Sequence, residues 1–162
     1  MQINKAKALT LIQLENYLHE GGSSLYEYDY KKYLELDRFT TALKDTLTYQ
    51  RKRHFIKLLR RLSEKKISVL GFISGFEKLS LISDQDYSST RKDFEKLIIL
   101  QINDEAIGFQ KNIISYIYLA CEQFQLSKID PDWLSELDMR TFMDDILFEI
   151  QVYQYNQYKN KS

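Results

Sequence analysis

Seven carboxylates fall within residues 130–149: Asp130, Asp132, Glu136, Asp138, Asp144, Asp145 and Glu149. At that density they could hold a hard cation, share a proton as an acid–base pair, or present a docking face to a basic partner. The spacing of an EF-hand calcium loop, with its central glycine and closing glutamate, is missing. Asp130 and Asp138 already have a local task, because acidic side chains at helix starts accept orphan N–H groups and complement the helix dipole. Asp145 and Glu149 stand one helical turn apart and repel unless something basic faces them. The set reads as an acidic face, solvated or offered to a partner, and not as a catalytic pair.

The opposite charge is concentrated earlier in the chain. Residues 51–66, RKRHFIKLLRRLSEKK, carry eight cations relieved only by Glu64. Phe55, Leu58, Leu59 and Leu62 recur at helical spacing and predict a buried stripe. Arg51, Lys52, Arg53, Lys57, Arg60 and Arg61 take the remaining surface. Such a helix can lie along a phosphate backbone in a salt-dependent, largely sequence-blind way. It can equally dock on the acidic half of its own chain or face water. No recognition motif accompanies it, and the formal net charge is zero.

Other chemistry has little to work with. His19 and His54 are the two histidines, and neither has a metal-like spacing to a carboxylate or to Cys121. No metal and no cofactor is expected. Cys121 is the single cysteine, so an internal disulfide is ruled out, and its apolar neighbourhood makes it a small core residue. There is no phosphate-cradling glycine loop and no nucleophile motif. An enzyme is not expected.

The elements that must position these residues are helices. One proline and five glycines in 162 residues leave long stretches without a break, whereas strand-rich folds need turn signals at short intervals. Ile3–Leu18 reads as a first helix with Leu11, Leu14 and Leu18 inward, ended by Gly21-Gly22-Ser23-Ser24. Leu25–Leu36 is read as helical, and Asp37 is expected to cap a further segment, Arg38–Tyr49. After the basic helix comes a turn at Glu64–Ile67. Ser68 then caps Val69–Ile82, with Leu70, Ile73, Phe76 and Leu79 or Leu81 facing the core. Gly71 and Gly75 share a face there and would admit another helix closely. Asp84–Ser89 is expected to be a polar turn, followed by helices over Thr90–Ile102 and Glu105–Phe124. In the second of these Ile107, Ile113, Tyr116, Ile117 and Leu119 are expected to be among the central residues. Asp130-Pro131 has the chemistry of a helix start, and Asp138 is expected to cap the last helix, Met139–Tyr153. The fold class is all-α, a helical bundle of six to eight helices. The expected organisation is an arm over 1–24, a single helical domain over 25–155, and a frayed tail over 156–162.

No apolar run approaches the 18 or so residues of a membrane span, and the N-terminus lacks the apolar core of a signal peptide. The expectation is an intracellular, soluble protein without membrane insertion. Abundant Lys, Ile, Tyr, Asn and Gln fit AT-rich coding DNA, which points to a bacterial cytoplasm or a plastid stroma. The zero net charge also hides a split. Residues 1–66 hold 14 Lys/Arg against 8 Asp/Glu, and 67–162 hold 9 against 15. Partners are therefore better read from the halves than from the total.

Two blocks carry a family resemblance. LLRRLSEKKISVLGFISGFEKL at 58–79 and IDPDWLSELDMRTFMDDILFEI at 129–150 resemble the colicin-immunity-like helical proteins of bacteria and plastids. The first is similar to that family's leucine-rich helix, basic turn and Phe-containing helix. The second is similar to its Asp-Pro-Asp turn, here Asp130, Pro131 and Asp132, followed by an acidic helix start and an arginine, here Glu136, Asp138 and Arg140. Gly71 falls where the family favours an acidic residue, and residues 1–50 have no counterpart. The resemblance implies an inhibitor whose acidic surface mimics phosphates before a cationic, nucleic-acid-reading site. The leading expectation is thus a non-enzymatic protein-binding module, its partner a basic protein surface. A nucleic-acid-associated protein using 51–66 is the alternative, as is a structural subunit or adaptor of a larger assembly.

Overall fold

The structure, a computed structural model, describes residues 5–124 and 133–159. Among the described residues the chain is helical, with no strand and one isolated bridge between Phe124 and Leu134. The helices are α1 Lys5–Glu20, α2 Leu25–Tyr28, α3 Tyr30–Gln50, α4 Lys52–Ser63, α5 Val69–Lys92, α6 Phe94–Ile99, α7 across 104–123, and α8 Glu136–Lys159. α7 is continuous but contains a π-helical turn, Gln110–Ile114, between Asp104–Phe109 and Ser115–Gln123. The all-α bundle expected from sparse punctuation is the observed architecture.

Local chemistry accounts for the starts. Ser24 and Glu27 form a reciprocal capping box on α2. Asp29 Oδ1 then accepts from the backbone N–H groups of Lys31 and Lys32, which starts α3. Ser68 Oγ accepts from Gly71 N at 3.1 Å, and Asp93 Oδ1 accepts from Lys96 N at 3.1 Å. These bonds satisfy N–H groups that a helix end leaves orphaned. The turn between α4 and α5 places Lys65 at a φ of 57°.

Several expected boundaries are corrected. Asp37 caps nothing, because it lies inside α3. The expected polar turn at Asp84–Ser89 is helical and belongs to α5. Both stretches are polar but free of glycine and proline, and polarity alone does not stop a helix. The helix expected over Thr90–Ile102 shrinks to α6, since Asp93 adopts an extended conformation and caps a new start. The last helix starts at Glu136 and not at Met139. The helix start read at Asp130-Pro131 lies outside the described residues. Phe76 is buried as expected, and Ile73 and Leu79 pack against the core, but Leu70 and Leu81 are exposed and α5 turns Val69 and Phe72 inward in their place. Ile107, Tyr116 and Leu119 are also exposed. The buried Ala106, Ile113, Ile117 and Ala120 recur at ordinary helical spacing, which leaves 107, 116 and 119 off that stripe.

The chain forms two compact units, Met1–Tyr49 with Ser83–Ile107, and Gln50–Ile82 with Gly108–Ser162. In the first, Ala8, Leu11 and Ile12 of α1 join Leu25, Leu36, Phe39, Leu43, Leu47 and Leu97 in one core. Polar ties reinforce it. Arg91 pairs with Glu15, Lys44 with Asp84 at 2.8 Å, and Asn103 N donates to Thr46 Oγ1 at 3.1 Å. In the second unit, α4 contributes Phe55, Ile56, Leu59 and Leu62, and α5 contributes Val69, Phe72 and Phe76. Ile113, Ile114, Ile117 and Ala120 of α7 pack with them, as do Met139, Met143, Ile146, Leu147 and Ile150 of α8. Gly75 permits a close approach, since a Cβ there would sit 2.8 Å from Leu58 Cδ1. Gly71, by contrast, faces only Ser68 and Ile67 nearby. Among the described residues no helix is long and apolar enough to cross a membrane.

Candidate functional site

The start of α8 uses two of the seven carboxylates structurally. Ser135 N and Oγ donate to Asp138 Oδ2 at 2.9 and 2.6 Å, and Asp138 N donates back to Ser135 Oγ at 3.2 Å. This is a capping box in which Ser135 is the cap and Asp138 the third helical residue. Asp138 was expected to be the cap itself. Glu136 Oε1 accepts from Arg140 Nε and Nη2, while Arg140 Nη1 donates to the Leu62 carbonyl at 2.9 Å. Leu62 lies in the last turn of α4, and its carbonyl also accepts from Lys65 N at 3.0 Å in the turn that follows. Arg140 therefore ties α8 to the end of α4.

Asp144, Asp145 and Glu149 behave differently. All three are exposed. They lie opposite the buried Met139, Met143, Ile146, Leu147 and Ile150, and on that outer face α8 also presents Leu137, Phe148 and Val152. Leu137 is 73% exposed and Phe148 66%. At 100° per residue, 137, 144, 148 and 152 fall within one narrow stripe, with 145 and 149 along its edge. The face is apolar down the middle and acidic around it. Asp130 and Asp132 lie outside the described residues.

On α4, Arg53, Lys57, Arg60 and Arg61 are exposed on one side, and Arg51 and Lys52 are half-buried. Glu64, the only carboxylate in this run, is engaged at 2.6 Å by Lys66. That hydrogen bond holds its carboxyl below the usual range, with a smaller pull from Arg60. Arg53, Lys57, Arg60 and Arg61 remain exposed along the helix.

Cys121 is half-buried against the second core. Burial pushes its thiol up to about 12, helped by the charge on Glu77, so it holds its proton and is a poor nucleophile. Among the described residues no group of three or more His, Cys, Asp or Glu side chains could hold a metal.

The first unit contains a feature that sequence reasoning missed, a cleft of about 590 Å³. α1 lines one side with Ile12, Glu15, Asn16 and His19, the spacing of a single helical face. Ser23 to Tyr26, together with Tyr33, supply a second side. Tyr87, Ser88, Arg91 and Lys92 of α5 supply the third. Ile12 and Leu25 are buried beneath it. The one available signal was the polar residues of α1 recurring beside its buried ones. The second wall follows α1 directly without a motif, and the third comes from the far end of α5. No family model, no curated protein and no solved structure matches the chain.

Proposed function

We propose that the chain is a non-enzymatic protein-binding module that docks the outer face of α8 on a basic partner surface. The observation that carries this reading is the exposed Phe148, with Leu137 and Val152, set among Asp144, Asp145 and Glu149. Solvent-exposed aromatic side chains of this size supply binding energy when a partner desolvates them. Surrounding carboxylates mainly speed the encounter and fix its register. Glu136 and Asp138 are excluded from the docking set, because their carboxylates serve Arg140 and the helix cap. The resemblance to colicin-immunity-like proteins gives the reading its concrete form, an inhibitor that occupies a cationic, phosphate-reading surface.

The test is capture of a partner by the full chain, compared with Phe148→Ala and with the triple variant Asp144→Asn, Asp145→Asn, Glu149→Gln. Truncating a hot-spot aromatic costs about 2 kcal/mol or more, so Phe148→Ala should weaken the complex roughly 30-fold. The triple variant should chiefly slow association and flatten its salt dependence. A complex indifferent to both sets overturns the reading. One observation favours a second reading, the four exposed cations Arg53, Lys57, Arg60 and Arg61 of α4. If nuclease treatment empties the capture and neutralising those four does the same, the partner is nucleic acid held by its backbone.

A further inference from the structure

The cleft of the first unit brings cationic and aromatic side chains together. Its lining holds the cations Arg91 and Lys92 against the single carboxylate Glu15, an excess of one positive charge with His19 uncounted. Arg91 is held in place by Glu15, with both side chains about a third exposed or less. A pre-positioned guanidinium still has N–H groups to offer a second acceptor. Lys92 is exposed beside it. Flat surface is present as well. Tyr33 and Tyr87 are half-buried against the first core, and Tyr26 meets Tyr33 edge to face with centroids 5.2 Å apart. The volume lies in the range of roughly 300–1,000 Å³ typical of small-ligand sites.

We propose that this cleft binds a nucleoside monophosphate, its base against the tyrosine rings and its phosphate at Arg91 and Lys92. The acceptor capacity that Glu15 keeps beyond its bond to Arg91, with the side-chain amide of Asn16, suits the ribose hydroxyls or base amino groups. Aromatic stacking is tolerant of base identity, so discrimination between bases is weak. A bare phosphate would leave the rings unused, and an uncharged nucleoside would leave the cations unused. Both halves are needed for full affinity. Because the cleft lies in the first unit and the α8 face in the second, this inference stands or falls independently of the proposed function.

The experiment titrates the full-length chain, labelled for amide NMR, with AMP, UMP, adenosine, ribose 5-phosphate and inorganic phosphate. AMP and UMP should shift amides across 12–26 and 87–92 and bind at least about tenfold more tightly than the other three. Lys92→Ala, a change at an exposed position, should reduce AMP binding several-fold and leave adenosine binding unchanged. Tyr26→Ala should reduce AMP and adenosine binding together and spare ribose 5-phosphate. No localised shifts with either nucleotide would overturn the proposal. Equal binding of ribose 5-phosphate or phosphate would reduce the cleft to an anion site, and equal binding of adenosine would reduce it to an aromatic one. Either result rejects the nucleotide assignment.

Discussion

Asp45 of α3 is only 7% exposed, and that burial pushes its carboxyl up to about 6 against the opposing pull of Lys44. Lys44 gives incomplete relief because its ammonium is engaged by Asp84 at 2.8 Å. In the unfolded chain Asp45 would ionise near its ordinary value of about 3.9. Between the two values the unfolded chain gives up a proton that the folded chain keeps. Stability is therefore greatest below the unfolded value, falls as pH rises through the window between about 4 and 6, and is level above it. A shift of about two units corresponds to a loss on the order of 2–3 kcal/mol at neutral pH. Asp45→Asn keeps the shape and removes the charge. It should stabilise the chain in urea melts at about pH 7.5 and change little at about pH 3.5, because only the ionised form carries the cost. Equal effects at both pH values, or destabilisation at the higher one, would refute this account. Nothing in the sequence marks Asp45 apart from Asp37 of the same helix, which is exposed. The same limit hid the cleft. Residue type was legible, but that the end of α5 lies beside Glu15 and His19 of α1 is set by the fold.

At the scale of elements, helices were legible because glycine and proline are so sparse, and their interruptions were not. The capping chemistry acts through a reciprocal pair of hydrogen bonds at Ser24 and through one side-chain hydrogen bond each at Ser68 and Asp93. Equivalent residues such as Asp37 sit inside helices without capping anything. A cap is a geometry, and residue type supplies only half of it. The approach at Gly75 was legible, because two small residues four apart predict a close neighbour, yet only one of the pair makes that contact. Gly75→Ala brings up to about 1 kcal/mol of helix propensity. It also brings a methyl to 2.8 Å from Leu58 Cδ1 and 3.2 Å from Cδ2, where the branched end of Leu58 must shift. Leu58 packs against the second core, so overpacking of about 1–3 kcal/mol should win. The expected result is net destabilisation by Gly75→Ala alone. In a Leu58→Ala background the same change should turn stabilising, as the propensity gain is then unopposed. A double-mutant cycle of denaturant midpoints reads this directly. Additive effects would show that Leu58 does not limit the site.

For the whole molecule, charge along the chain and charge in the fold divide differently. The sequence splits into a basic first part and an acidic second part. The first compact unit nevertheless holds 9 Lys/Arg against 13 Asp/Glu, and the second holds 14 against 10. The second unit contains both the cationic α4 and the acidic face of α8, so it is not a uniform docking body. The division also bears on residues 1–24. Their only break, Gly21-Gly22, reads as a boundary, yet Ala8, Leu11 and Ile12 lie in the core of the first unit. Burying one Leu or Ile side chain is worth about 1.5–3 kcal/mol. With the half-buried Leu9, Leu14 and Leu18 added, α1 supplies an amount comparable to the 5–15 kcal/mol of a typical domain's total stability. A chain starting at Leu25 should therefore lose the first unit as a folded body. Leu36, Phe39 and Leu43 would be left facing water, bound dye fluorescence should rise, and amides of 30–49 should exchange near the unprotected rate. Retained protection across 30–49 in the shortened chain would mean that α1 covers a core which closes without it.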